Sequence, residues 1–243
     1  MASDLILKTV RVDQEDPVKA WEEHDKTLHE KAEYLNNKKY KALHYKSEGT
    51  DLTIELPKLQ YWSGASSVNS KGNSFVANMP TEEVFTAPHK NGVNGTVKNT
   101  LPLSHSGNII DDFTITFKDG EVVDYKAGVG EEILKGILET DEGAKRLGEV
   151  ALVPVDSPIS NMNALFYNTL FDENASCHIA LGSAYAFCIE DGKNMTEEEL
   201  AENGLNDSMT HVDFMIGSKD LSIDGILENG EREPVFRDGN WAF

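Results

Sequence analysis

The chain has 243 residues, of which 39% are hydrophobic and 26% charged, with only 8 prolines and 19 glycines. This composition offers enough apolar surface to offset the entropy of ordering, which excludes a disordered, collagen-like or low-complexity chain. Acidic side chains number 42 and basic ones 22, so the net charge is −20. Such a chain is not expected to bind nucleic acid or an anionic membrane surface through a basic face.

The sequence carries no membrane or export signal. No run approaches the roughly 18 apolar residues of a membrane span, and residues 1–12 lack a basic segment followed by a long apolar stretch. Cys177 and Cys188 are too few for a disulfide framework and lie among apolar or small residues, which predicts buried free thiols. We therefore expect a cytoplasmic protein.

Helix and strand signals follow one another without an internal repeat or a linker. Asp16-Pro17 is typical of a helix start, and an apolar stripe that includes Val18 and Leu35 predicts a helix over residues 17–36. Asp119-Gly120 and Asn229-Gly230 are hairpin signals. Strands are predicted at residues 40–46, 52–56, 109–117, 121–127, 150–155, 212–216, 223–227 and 235–236, and further helices at 130–147, 165–170 and 196–202. This order predicts an α+β domain with a mixed, largely antiparallel sheet.

Four polar residues stand inside apolar segments and point to metal binding. Glu149 precedes a buried strand, His178 lies in a run with no other charged group, and His211 and Asp213 are two residues apart on a predicted strand. Alternate residues of a strand share a face, and imidazole with carboxylate suits zinc, manganese or cobalt. The alternatives are a hydrogen-bonded core histidine, an aspartate at a turn, and an ion pair between Glu149 and Arg146.

The other histidines fall in helix-surface or loop contexts, and we interpret them as solvated. They are His24, His29, His44, His89 and His105.

At the polar segments the sequence resembles the aminopeptidase T family, the bacterial metallo-aminopeptidases also called aminopeptidase S or aminopeptidase II. The matching segments are NMPTEEVFT (78–86), LGEVALVP (147–154), FYNTLFDENASCH (166–178) and HVDFMIG (211–217). The resemblance covers essentially the whole chain in order. It implies that residues 1–243 are the C-terminal catalytic domain, with a barrel-like sheet and flanking helices, and that the family's N-terminal α/β domain is absent.

The resemblance also implies a two-metal site with zinc, cobalt, manganese or magnesium. The implied ligands are Glu83, Glu149, Glu173, His178, His211 and Asp213. Glu149 would bridge the ions, and Tyr185 would act beside them as a catalytic group or else merely pack there. Two assignments stay open: Glu82 in place of Glu83, and Glu173 as a proton-transfer residue in place of a ligand.

Two functions follow. The first is a metal-dependent aminopeptidase, expected to be a homodimer, that releases the first residue from peptides with a free N-terminus. The second is a non-catalytic, metal-binding, dimer-forming fragment that needs the missing domain for activity.

Overall fold

The computed structural model describes residues 2–243. Its α-helices are α1 (Ala2–Thr9), α2 (Pro17–Lys38), α3 (Glu131–Leu138), α4 (Thr169–Asp172) and α5 (Glu197–Glu202). Its strands are β1 (Ala42–Ser47), β2 (Thr50–Glu55), β3 (Ser63–Gly64), β4 (Ser66–Val68), β5 (Ser74–Val76), β6 (Val84–Thr86), β7 (Val93–Lys98), β8 (Leu103–His105), β9 (Asn108–Lys118), β10 (Glu121–Val129), β11 (Leu147–Leu152), β12 (His178–Gly182), β13 (His211–Met215), β14 (Ser222–Ile226), β15 (Arg232–Arg237) and β16 (Asn240–Trp241).

These strands form two main sheets. A nine-stranded sheet follows the order β10-β9-β7-β2-β1-β14-β15-β16, with β8 paired to β9. A five-stranded sheet follows the order β13-β12-β11-β6-β3, and β4 pairs with β5 in a separate hairpin. Strand pairs within residues 2–243 are antiparallel throughout. The predicted α+β class and antiparallel pairing are confirmed.

The barrel-like closure is wrong. Over the described residues, each sheet ends in strands that pair on one side only, β10 and β16 in the large sheet and β13 and β3 in the small one. Closure would require the two terminal strands to pair along a shared ladder. The strand β16 has only two residues, Asn240–Trp241, which is too short to close a sheet whose other edge is the nine-residue β10.

Helix α2 begins where the sequence predicts. The Asp16 side chain accepts a hydrogen bond from the Lys19 N–H at 3.1 Å, which satisfies one of the free amides of the first turn, and Pro17 fixes the backbone of that turn. The helix buries Leu28 and Leu35. Val18 of the predicted stripe is 70% exposed, because the first turn lies outside the packed part of the helix.

The predicted helix over residues 130–147 is half right. Helix α3 stops at Leu138 and Leu147 begins a strand. Between them the Asp141 carboxylate accepts hydrogen bonds from the Ala144 and Met209 N–H groups at 2.8 and 2.6 Å. A Cβ atom at Gly143 would lie 1.8 Å from the Asp207 carbonyl oxygen, so this turn packs too closely to continue as a helix. Local capping outweighs the apolar spacing here.

Two neighbouring predictions are displaced. The strand expected at residues 150–155 begins three residues earlier as β11, and the helix expected at 165–170 is only the single turn of α4. The hairpin at Asp119-Gly120 is confirmed, since both residues have positive φ, 51° and 83°, as a type I′ turn requires.

One apolar core joins the two main sheets. Phe113 of β9 and Phe214 of β13 are both buried, and their ring centroids lie 5.3 Å apart. Cys177 and Cys188 are buried free thiols, as predicted. Among residues 2–243, no helix has the length and apolar character needed to cross a membrane.

Candidate metal centre

The register of β11, β12 and β13 brings the predicted polar residues to one face. Ala180 pairs with Glu149 on one neighbouring strand and with Asp213 on the other, so two carboxylates flank a single methyl group. His178 lies two residues before Ala180, and His211 two before Asp213, so these side chains share that face. The sheet thus groups four polar side chains over a small residue.

The opposite face of the same strands is apolar. Its residues are buried in the core: Val150, Leu152, Ile179, Leu181, Val212 and Phe214. A shift of one residue in register would exchange the two faces. Burial of the apolar face therefore fixes where the polar side chains lie.

The polar side chains form two groups that share one carboxylate. The His178 Nε2 atom lies 3.1 Å from a Glu83 oxygen and 3.6 Å from Glu149 Oε1. The His211 Nε2 atom lies 3.8 Å from Glu149 Oε2 and 3.4 Å from Asp213 Oδ1. Within each group the potential ligand atoms all lie within 4.8 Å of one another. Glu149 therefore offers one oxygen to each group.

Backbone carbonyls orient both imidazole rings. His178 Nδ1 lies 3.1 Å from the Ser176 carbonyl oxygen, and His211 Nδ1 lies 2.7 Å from that of Ser183. A carbonyl oxygen only accepts hydrogen bonds, so each Nδ1 carries the proton. In the neutral rings the Nε2 lone pairs then face the carboxylates, the arrangement that metal-binding histidines use.

One carboxylate oxygen of this site is buried without a hydrogen bond. Asp213 is only 7% exposed, and its Oδ1 atom lies 3.4 Å from His211 Nε2 but accepts no hydrogen bond from residues 2–243. A buried acceptor without a partner is destabilising unless a donor or a cation compensates it. The donor set therefore fits a divalent cation, because carboxylate oxygens and imidazole nitrogens are its usual ligands.

The metal-free cluster holds protons at neutral pH. Burial raises the pKa of Glu149 to about 7, although its hydrogen bond to His178 opposes the shift. Burial lowers the pKa of His211, but the Asp213 carboxylate outweighs it and brings that pKa to about 9. Burial likewise opposes the charged form of His178, yet Glu149 and Glu83 keep its pKa well above the ordinary value. A bound cation would displace these protons from the Glu149 carboxyl group and from the two imidazole rings.

Glu173 and Tyr185 line the same cavity, whose volume is about 250 Å3. Burial and the neighbouring carboxylates raise the pKa of Glu173 to about 8, although it belongs to neither group of three. Burial raises the pKa of Tyr185 to about 12, so its hydroxyl stays protonated and can donate. Its ring lies 5.1 Å from the His211 ring and stacks on Phe187 at 5.2 Å. The structure thus brings all seven predicted site residues to one cavity or its floor.

The structure separates Glu82 from Glu83. Glu83 faces His178, whereas the Glu82 carboxylate accepts two hydrogen bonds from Arg11, at 2.5 and 2.9 Å. The alternative pairing of Glu149 with Arg146 is wrong, because Arg146 points to Glu121 and to the Lys90 carbonyl.

The interpretation of His24 as a solvated residue is also wrong. Its side chain is 11% exposed, and its ring contacts Arg11 and the Thr81 carbonyl. The helical period could have indicated this burial, since His24 precedes the buried Leu28 by four residues. No sequence signal indicates Arg11, and only the fold brings it to Glu82.

Residues 2–241 match the protein family described as thermophilic metalloprotease (M29). The chain belongs to this M29 family. Membership of the M29 metalloproteases implies a divalent metal cofactor, and this match together with the relatives below confirms the resemblance to the aminopeptidase T family.

Relatives of this M29 chain are longer than it is. It is 64% identical over 238 residues to aminopeptidase AmpS of Bacillus subtilis (strain 168), and 57% identical over 240 residues to aminopeptidase 2 of Geobacillus stearothermophilus. These matches cover 98% and 99% of this chain but 58% of each relative. The solved structure of wild-type AmpT from Thermus thermophilus matches with a TM-score of 0.90 and 45% identity, over 93% of this chain and 56% of that one.

Metal affinity of this M29 chain is expected to rise with pH between about pH 6 and pH 9. Glu149, Glu173 and His211, with pKa values of about 7, 8 and 9, must lose protons that the metal-free site still holds. Each proton displaced changes the apparent affinity by about tenfold per pH unit. Calorimetric cobalt titrations at several pH values, in buffers of different ionisation enthalpy, measure both affinity and proton release. Affinity independent of pH would contradict the expectation.

The same protons determine the direction in which the stability of the metal-free protein changes with pH. Groups whose pKa is raised on folding stabilise the metal-free protein below their ordinary pKa, and that contribution disappears as the pH rises through the folded-state values. The difference in Tm between metal-loaded and chelator-treated protein should therefore widen toward about pH 9.

Proposed function

We propose that this chain is the catalytic, metal-binding portion of an aminopeptidase and that it holds two divalent ions at the cavity floor. The observation that carries the proposal is the position of Glu149, whose two oxygens face two different histidines. A carboxylate placed between two sets of ligands suits a bridge between two cations. The relatives named aminopeptidases support the reaction type.

Charge balance supports two ions over one. The proposed ligands are four carboxylates and two imidazoles, with a formal charge of −4, which two divalent cations neutralise. Six ligands exceed the tetrahedral shell of a single zinc. Glu83 and His178 would hold one ion, His211 and Asp213 the other, and Glu149 both. Glu173 would complete the set as a ligand or hold a proton beside it.

Two ions of this kind, when bound, polarise a peptide carbonyl and lower the pKa of a water molecule toward neutrality. The chain's own residues supply the rest of the reaction. Tyr185 carries a protonated hydroxyl into the cavity and would donate a hydrogen bond to the oxygen that gains negative charge. Glu173, whose pKa of about 8 lies near neutrality, is suited to accept and return a proton.

The cavity also fits the end of a peptide. The net charge of −20 favours the approach of a peptide end that bears an ammonium group, and the side chains of Phe85, Tyr185 and Phe187 line the cavity as an apolar wall. A first residue would place its amine at the floor and its side chain along the wall. Homodimer assembly and a cytoplasmic location stay predictions.

Metal stoichiometry with product release tests the proposal. Chelator-treated protein is loaded with cobalt or zinc, dialysed and analysed for metal, and free leucine released from a leucyl peptide is then quantified. We expect two ions per chain and release that depends on them. One ion or none would overturn the two-metal site. Two bound ions without release of leucine would favour the alternative, a non-catalytic metal-binding fragment. The chain matches 58% of the length of each of these two relatives.

A further inference from the structure

A buried ion pair lies directly behind the proposed metal centre. Glu82 is 4% exposed, and Arg11 donates to both of its carboxylate oxygens. The Arg11 guanidinium also contacts His24 Nδ1 at 3.2 Å and lies over the Trp21 ring at 5.5 Å. Since Arg11 only donates, His24 Nδ1 accepts and its Nε2–H donates to the Thr81 carbonyl at 2.7 Å. Every partner in this cluster therefore has a defined role.

The cluster holds the segment that carries Glu83. Glu82 and Glu83 are consecutive, and their side chains diverge, the first toward Arg11 and the second toward His178. With the Glu82 carboxylate fixed by two charge-assisted hydrogen bonds, rotation of this segment away from the centre would break both. The position of Glu83 thus depends on a pair that never touches the cavity floor.

Asn174 ties the segment to Glu173. The Glu82 N–H donates to Asn174 Oδ1 at 2.7 Å, and Asn174 Nδ2 donates to the Leu170 carbonyl at 2.9 Å. Asn174 is 1% exposed and follows Glu173 in the chain. One amide side chain therefore connects the two proposed ligands that lie outside β11, β12 and β13.

The other half of the centre has a different support. His211 and Asp213 belong to β13, and their positions follow from its pairing with β12. Their contacts are with Ser183 and Glu149, and the Arg11 cluster does not reach them. Apart from Glu149, which both share, the two halves of the centre therefore depend on different contacts.

We infer that Arg11, Glu82 and Asn174 are positioning residues that set the affinity of one metal position, at Glu83 and His178, and leave the position at His211 and Asp213 unaffected. The inference rests on the proposed two-metal function. Loss of an outer partner of a metal ligand typically weakens binding by about 10–100-fold. We expect that loss at one position only.

The test is a stepwise cobalt titration followed by calorimetry and visible absorption. Glu82→Gln and Asn174→Ala should each leave one binding step at its wild-type affinity and weaken the other by about 10-fold or more. Glu233→Gln is the matched control. Glu233 also pairs with a basic side chain, Lys38, but it belongs to β15 of the large sheet. It should leave both steps unchanged.

A charge-free variant guards against misfolding. Removing one partner leaves a buried charge unpaired, whereas Arg11→Met combined with Glu82→Gln removes both charges. This double variant should unfold cooperatively with chelator present, and the same one of its two cobalt-binding steps should be weakened. Equal weakening of both steps, or of neither, in variants that fold would overturn the inference while the two-metal function stands. A wild-type protein that binds fewer than two ions would overturn both.

Discussion

Glu149→Gln is expected to remove both metal ions from the protein, whereas Glu83→Gln removes no more than one. Glu149 is the only proposed ligand with an oxygen toward each histidine, and an amide binds a cation more weakly than a carboxylate. The change is nearly isosteric, so the core on the far side of β11 stays packed. Product release should fall to background, a greater loss than the roughly 10–100-fold that follows removal of an outer partner.

Metal content after dialysis and initial rates of leucine release measure this effect. Glu121→Gln is a matched control, since Glu121 is an acidic residue of β10 that pairs with Arg146 outside the cavity. Retention of one tightly held ion in Glu149→Gln would show that this carboxylate serves a single position and would contradict the bridge.

A leucyl peptide and its N-acetylated counterpart are expected to differ in turnover by several orders of magnitude. The acetyl group removes the positive charge of the peptide end, which the net charge of −20 attracts, and it blocks the amine. Positioning a reacting group at a defined site lowers the activation barrier by up to about 7–11 kcal/mol. An internal peptide bond has no adjacent free amine, so it does not gain this positioning.

Paired assays of the two peptides, with matched metal-loaded protein, provide the measurement. Equal cleavage would exclude an aminopeptidase mechanism while leaving the metal centre intact. A free peptide with an internal leucine serves as a second comparison, because it should be shortened only from its free amino end and not be cut directly at the internal leucine.

Polar residues within apolar segments predicted the part of the site that lies in β11, β12 and β13. Alternation alone predicted that His211 and Asp213 share one face, and the structure has His211 Nε2 3.4 Å from Asp213 Oδ1. Glu83 and Glu173 were different, because they lie outside these strands and no local period applies to them. Only the resemblance indicated those two residues. Their place at the centre depends on contacts such as Arg11 with Glu82, which are 71 positions apart in the chain.

The fold errors have a similar origin. Apolar spacing extended α3 past Leu138, but Asp141 and the close packing of Gly143 end it. Whether a sheet closes into a barrel depends on which strands lie at its edges. Hairpin signals between neighbouring strands do not determine which strands those are. The turn residues Asp119 and Gly120, by contrast, determine their hairpin locally.

The position of Ala180 between Glu149 and Asp213 has a consequence for how the sequences of related chains can change. The spacing of those two carboxylates is set by hydrogen bonds between strands and by a core that lies on the other side, so insertions in surrounding loops leave it unchanged. Glu83 and Glu173 lie outside those three strands, so their positions depend on contacts of their own segments, such as those of Glu82 and Asn174. Evolutionary drift in metal preference is therefore easiest on their side of the centre, while the side at His211 and Asp213 changes only with the sheet itself.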